Sequence, residues 1–201
     1  QIRDLMAYLN GSLPDDHPFV HVQAMPSGPT NPEMWLLGSS DQSAAYASHF
    51  GCAFSFAHFI VAEGGERVVH GYREHFQPSD TLAQSSASIG IFVICADTEE
   101  EAKRLSRSRD LWMLRMSHGE TTPVPTIEEA QSYPYTDREL AIVQFNSKRT
   151  IAGDPGQVHG AIDELGQRYG VDEFVVVTIC HDFEARLRSY ELLAREFRLI
   201  S

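Results

Sequence analysis

The stretch Ile89-Gly90-Ile91-Phe92-Val93-Ile94-Cys95-Ala96-Asp97-Thr98-Glu99-Glu100-Glu101-Ala102 decides the fold class. Its first seven residues are apolar and rich in β-branched side chains, with no alternation, which is the pattern of a strand covered on both faces. Acidic residues follow at once. Asp97-Thr98-Glu99-Glu100 has the form of a capping box with Asp97 at the N-cap, and it opens a long helix. Ala102, Leu105, Trp112 and Met116 supply the inner face of that helix, with Gly119 ending it. A buried strand running straight into a helix is the unit of a parallel sheet, because parallel strands need crossover connections.

The same grammar repeats outward. Upstream, Met34–Leu37 is a short apolar strand, Gly38-Ser39-Ser40 a turn, and Asp41–Phe50 a small-residue helix closed by Gly51. Cys52–Ile60 is a second strand, followed by a helix over Glu63–Phe76 with Val68, Val69, Tyr72 and Phe76 on one face and Pro78 after its end. Downstream, Thr121–Pro134 carries three prolines and leaves the scaffold as an excursion, and Arg138–Phe145 is a short helix. Asp154 then caps a helix with Pro155 at its first position. Its buried stripe is Val158, Ala161, Ile162, Leu165 and Tyr169, closed by Gly170. Phe174–Ile179 is the fourth strand and Asp182 starts the last helix, with Ala185, Leu187, Leu192 and Leu193 among its apolar residues. Ahead of all this, Ile2, Leu5, Met6 and Leu9 have helical spacing. A Pro- and Gly-rich loop follows over Leu13–Pro32, with a short extended piece at Phe19–Val22. One domain therefore spans residues 1–201, with a lead-in (1–32), three βα units (33–117), an excursion (118–152) and a last βα unit (153–201). Four βα units make either an open doubly wound sheet or half of an eightfold barrel, and periodicity alone leaves both open. A complete barrel takes about 250 residues, more than the 201 here.

Composition narrows the function. Hydrophobic residues make up 42% of the chain and charged residues 22%, enough for a real core. The formal net charge of −12 argues against a nucleic-acid backbone or an anionic membrane as partner. No run approaches the roughly 20 apolar residues of a membrane span, so a soluble, cytoplasmic protein is expected. A phosphate ligand would have to be held by backbone N–H groups and hydroxyls, not by a basic patch. Cys52, Cys95 and Cys180 are odd in number, far apart and flanked by apolar residues, as buried free thiols of a reducing compartment are. His58, His70, His75, His118 and His159 are dispersed without metal-ligand spacing, so no metal is expected. Neither a nucleophile-elbow Ser motif nor a dinucleotide fingerprint occurs. The chain opens on Gln1-Ile2-Arg3-Asp4, with neither Met nor a signal core, so Gln1 is not expected to be the natural start of translation.

Six segments, in order, resemble those of the bacterial luciferase-like monooxygenases. Trp35-Leu36-Leu37-Gly38-Ser39-Ser40, with Ser43-Ala44-Ala45 and Phe50-Gly51, is similar to that family's fifth strand and following helix. Ala53-Phe54-Ser55-Phe56-Ala57-His58-Phe59 resembles its sixth strand, and Tyr72-Arg73-Glu74-His75-Phe76-Gln77-Pro78-Ser79 its Y-R-x-x-F-x-P-S stretch. Ala96–Ala102 is similar to the start of the long helix after strand seven, and Gly153–Val158 to a G-x-P-x-x-V turn. Val176–Asp182 with Arg186–Leu193 resembles the closing strand and helix. The resemblance implies a (β/α)8 TIM-type barrel represented by roughly its C-terminal four βα units. It implies a monooxygenase in which reduced FMN and O2 oxidise an organic substrate, with a separate reductase as one source of the reduced flavin. A deazaflavin in place of FMN stays open. So does a non-catalytic, flavin-binding or structural half-barrel. An open half-barrel exposes the flanks of its outer strands, so a homodimer is expected.

Barrel chemistry lies at the C-terminal strand ends. There the resemblance places the flavin phosphate on Gly38, Ser39, Ser40 and Ser43, at a turn and helix start whose free N–H groups favour an anion. The plainer reading makes Ser39 or Ser40 an N-cap and Ser43 a small packing residue. Strand alternation sends Phe56 and His58 to one face. If that face is the barrel mouth, they border the flavin ring or the substrate; otherwise they are packed core. His181 follows the last strand, where it could donate a proton or touch substrate, while Asp182 caps the final helix.

Overall fold

The structure, a computed structural model, describes residues 1–26, 28 and 30–200. Its centre is β3 (Ala87–Cys95), the strand read from the opening stretch, buried along its whole length. All its neighbours run parallel to it. β1 (Trp35–Gly38) pairs with β2 (Ala53–Ala57), and β2 with the first half of β3, in the register Phe54 to Ala87 through Ala57 to Gly90. β5 (Phe174–Val177) also pairs with the first half, Ile89 to Phe92. The second half, Phe92 to Cys95, pairs with a strand absent from the sequence reading, β4 (Thr150–Gly153). Backbone groups of alternate residues point to opposite edges of a strand. Phe59 N–H reaches Gly90 O and Ala96 N–H reaches Gly153 O, whereas Ile89 N–H reaches Glu173 O. β4 therefore continues the β2 edge above Ala57, and β5 lies on the other edge.

One face of the sheet is covered by helices in the usual βα manner. Ile89, Ile91, Val93 and Cys95 of β3, with Phe54 and Phe56 of β2, pack against α2 (Asp41–Phe50), α3 (Gly65–Glu74), α7 (Pro155–Tyr169) and α8 (Phe183–Glu196). The opposite face is the lumen side. There Ile94, with Ala96, lies under Ala102 and Leu105 of α4 (Glu99–Ser117) and under Ile127. Toward its two outer strands the lumen side is open, with Leu37, Val175 and Val177 59%, 50% and 37% exposed, whereas Ser55, Ala57, Ser88 and Phe92 at its centre are buried. Among the described residues the outer edges of β1 and β5 carry no further strand. α/β architecture with parallel strands and crossover helices is thus the fold, curved as half a barrel.

Several local expectations are corrected. The N-cap of α4 is Thr98, not Asp97: the Thr98 hydroxyl accepts from Glu101 N–H at 3.2 Å. Asp97 is left to pair with Arg188, at 2.7 and 3.2 Å, which holds its carboxyl below the usual range. Met116 of α4 is exposed rather than inner, and the buried face includes Ser108 and Arg109. Phe19–Val22 is turn, not extended chain. The excursion holds an unforeseen helix, α5 (Ile127–Ser132), beside the expected one, α6 (Asp137–Ser147), the two capped by Thr126 and Thr136. α1 (Ile2–Leu9) buries none of its side chains.

The Y-R-x-x-F-x-P-S stretch proves to be a clamp near the N-terminal ends of the strands. Tyr72 OH donates to Cys52 O at 2.9 Å or Ser86 O at 3.0 Å and accepts from Ser86 N–H. Arg73 donates to Tyr169 O and Gly170 O, capping the end of α7. Ser79 Oγ donates to Gly51 O, the glycine whose φ of +61° ends α2.

Candidate functional site

The best-formed site is the junction of β1 and α2. β1 ends on Gly38, where a Cβ would overlap Ser43 Cβ and Oγ. Glycine is required there for the strand end to approach the helix start so closely. Ser40 is extended at the N-cap and forms a reciprocal box with Ser43. Ser43 N–H donates to Ser40 Oγ at 3.3 Å, and Ser40 N–H donates to Ser43 Oγ at 3.2 Å. The Ser43 hydroxyl also reaches Ser40 O at 2.7 Å. Two of the predicted serines are thereby tied into the cap itself. What remains for a ligand is the set of orphan donors every helix start carries, here the N–H groups of Asp41 and Gln42, and the half-buried Ser39 hydroxyl outside the box. The Asp41 carboxylate opposes an anion; Arg67, 3.9 Å away and equally solvent-exposed, offsets it only weakly.

Phe56 and His58 share a face, but it is the helix side and not the mouth. Phe56 is fully buried against Tyr169, ring centroids 5.7 Å apart, and His58 is 6% exposed and edge-on to the same tyrosine. Burial pushes the His58 imidazole below its ordinary pKa, with Arg168 adding to the effect and Glu66 opposing it. Neither side chain can border a ligand in the lumen. The lumen phase of β2 is Ser55 and Ala57, and beyond the strand end it is Phe59. Phe59 lies over Gly90 and packs on Phe92, centroids 5.2 Å apart. The signal for this phase was side-chain size: small residues alternate with Phe54 and Phe56, and glycine stands opposite Phe59.

At the last strand, Asp182 caps α8 as expected, accepting Ala185 N–H at 2.8 Å. His181 is solvent-exposed in the loop after β5, near the start of α5, where hydrogen bonds from the backbone and Thr126 hold the Glu128 carboxyl low. The structure does not bring His181 and the serine turn into contact. All three cysteines are free and buried. Cys95 lies deepest, its thiol pushed up to about 11 by burial. Among the described residues no helix is long and apolar enough to cross a membrane, and no group of three His, Cys, Asp or Glu could hold a metal ion.

No protein-family model matches the chain. It is similar to the protein YceB of Bacillus subtilis (strain 168), 43% identical over 98% of this chain and 60% of that protein. It is 30% identical, over 87% of its length and 52% of the relative, to the luciferase-like monooxygenase of Escherichia coli (strain K12). Among solved structures, apo-MsnO8 superposes with a TM-score of 0.83 at 32% identity, over 99% of this chain and 59% of that one. Two more distant structures share the fold alone. One is the oxygenating constituent of 3,6-diketocamphane monooxygenase from Pseudomonas putida in complex with FMN (21% identity, TM-score 0.52, 84% of this chain and 49% of that one). The other is the coenzyme F420-dependent tetrahydromethanopterin reductase of Methanopyrus kandleri (17%, 0.57, 97% and 60%). The chain thus spans about half to three fifths of the length of the relatives it matches. On this likeness in sequence and fold, the chain belongs to the luciferase-like monooxygenase family of flavin-dependent oxidoreductases.

Proposed function

We propose that the chain is the flavin-phosphate-binding part of an FMN- and O2-dependent monooxygenase acting on an organic substrate. The observation that carries this is the β1–α2 junction, a glycine-tight strand end delivering two unbonded helix N–H groups and a free hydroxyl to one place. Such a junction holds a phosphate without basic side chains, as a chain of net charge −12 requires. Asp41 and Gln42 N–H with Ser39 would bind the phosphate, while Ser40 and Ser43 hold the turn in shape. Leu37, Phe59, Val175 and Val177 would give the ring and substrate an apolar, water-excluding wall. The exposed His181 imidazole at the strand end is the candidate for carrying a proton to or from the rim. Bound reduced flavin would supply the electrons for O2 chemistry; that chemistry belongs to the cofactor.

An eight-stranded barrel needs further strands against the bare edges of β1 and β5. In this reading they come from the rest of a longer polypeptide or from another chain, and the 201 residues alone pair as a homodimer. A separate reductase would supply reduced flavin, and the setting would be cytoplasmic. Likeness to an F420-dependent reductase supports a second reading, a deazaflavin at the same phosphate site. Titration with FMN and with F420, followed by flavin fluorescence, separates the two. Saturable binding of FMN below about 100 μM, with substrate-dependent O2 uptake in the presence of reduced FMN, is the expected result. Binding without O2 uptake would leave a flavin carrier, and no binding of either would end both readings.

A further inference from the structure

Arg109 has no place in the chemistry above, yet among the described residues it is the largest fully buried side chain, at 0% exposure. It projects from α4 onto the lumen side of β3, with its guanidinium 4.7 Å above the Phe92 ring. Phe92 in turn packs on Phe59. Its one hydrogen bond is a long one, Nη1 to Asp110 Oδ1 at 3.3 Å. Among the described residues Nε and Nη2 have no partner. The adjoining strand adds another unmet donor. Thr150 pairs with Phe92 across β3 and β4, so the two side chains emerge on one face, and the buried Thr150 Oγ1 has no partner either.

The charge balance is equally one-sided. Among the described residues Asp110 is the single carboxylate acting on Arg109, and its own burial pushes it toward the neutral acid. Arg149 adds a second positive charge that disfavours the Arg109 cation. A buried guanidinium is costly unless its charge and its N–H groups are met, and one stretched bond to a single carboxyl does not meet them. The missing component is therefore an acceptor carrying negative charge and small enough to lie between a helix and a strand pair.

We infer that the space between α4 and the β3–β4 pair binds a small monovalent anion, a halide or a carboxylate, held by Arg109 Nε and Nη2 with the Thr150 hydroxyl. Bound there, it fixes the guanidinium on Phe92 and so stiffens the Phe59–Phe92 wall of the lumen. This site is separate from the serine turn and stands or falls independently of the flavin.

Melting the 201-residue chain in sodium bromide, sodium acetate and sodium gluconate at constant ionic strength tests it. Bromide or acetate should raise the midpoint saturably, by about 3–5 °C at a tenfold excess over Kd, relative to the bulky gluconate. Whichever of the two acts at lower concentration identifies the halide or the carboxylate form. Arg109→Met should lose the response, and Thr150→Val, which keeps the fold's shape, should weaken anion binding several-fold. A crystal grown in bromide should show anomalous density against Arg109. Equal midpoints in all three salts, a response unchanged in both variants, or Asp110 turned in to bond both Nε and Nη2 in an anion-free crystal would overturn the proposal.

Discussion

At the scale of single residues, the structure separates those that shape the site from those that hold the scaffold. Gly38 belongs to the first group. Gly38→Ala drives a methyl into Ser43, so it should cost about 1–3 kcal/mol in urea unfolding and weaken FMN at least about tenfold in a fluorescence titration. Tyr72 belongs to the second. Tyr72→Phe leaves the carbonyls of Cys52 and Ser86 and the Ser86 N–H short of a partner, and should cost about 1–2 kcal/mol with FMN affinity unchanged. His58 makes a pH prediction. Its folded pKa lies below the unfolded value of about 6.5, so the unfolded chain binds the proton more readily. Its contribution is complete above that value and is lost as pH falls from about 7 toward 5. Urea midpoints measured across that range should fall with pH, and His58→Gln should flatten the slope; an identical slope in the variant would contradict the assignment. Sequence gave the right parity for Phe56 and His58 but not the face, because alternation carries no sign. Only the size contrast of Ser55 and Ala57 with Phe54 and Phe56 could have set it.

At the scale of elements, legibility followed length and capping. β3 and α4 were plain in the sequence because nine buried residues run into a capped helix of nineteen. β4 was hidden: four residues, two of them Ala and Gly, have no pattern of their own and become a strand only because β3 outruns β2 and offers them an edge. α5 was hidden by its six residues among prolines. Thr98 displaced Asp97 at the cap because Arg188, distant in sequence, claims the aspartate. The other edge of β3 shows how one side chain can end a strand pairing. Beyond β5, Cys95 N–H is met by the fully buried Ser189 of α8 at 2.9 Å. Ser189→Ala should orphan that N–H and destabilise the fold by about 1–3 kcal/mol in chemical denaturation, far more than an alanine at exposed Glu191.

At the scale of the whole molecule, the sheet is curved, helix-clad on one side and open along the outer strands of the other, which is what an arc of a closed barrel looks like. That arc was legible only in combination. Periodicity supplied four βα units and left an open sheet or a half-barrel; ordered resemblance chose the barrel, and superposition on apo-MsnO8 agrees. What the sequence could not supply was the lumen, since its lining depends on strand phase and on α4 folding back over β3.

On the proposed function, the β1–α2 junction grips a flavin through its phosphate. The direct test is parallel titration of the chain with FMN and with riboflavin, which has the same ring and no phosphate. FMN should bind at least about tenfold more tightly, a difference of about 1.4 kcal/mol, and Gly38→Ala should remove the difference. Equal affinity for the two flavins, or a preference for FMN that survives Gly38→Ala, would contradict it.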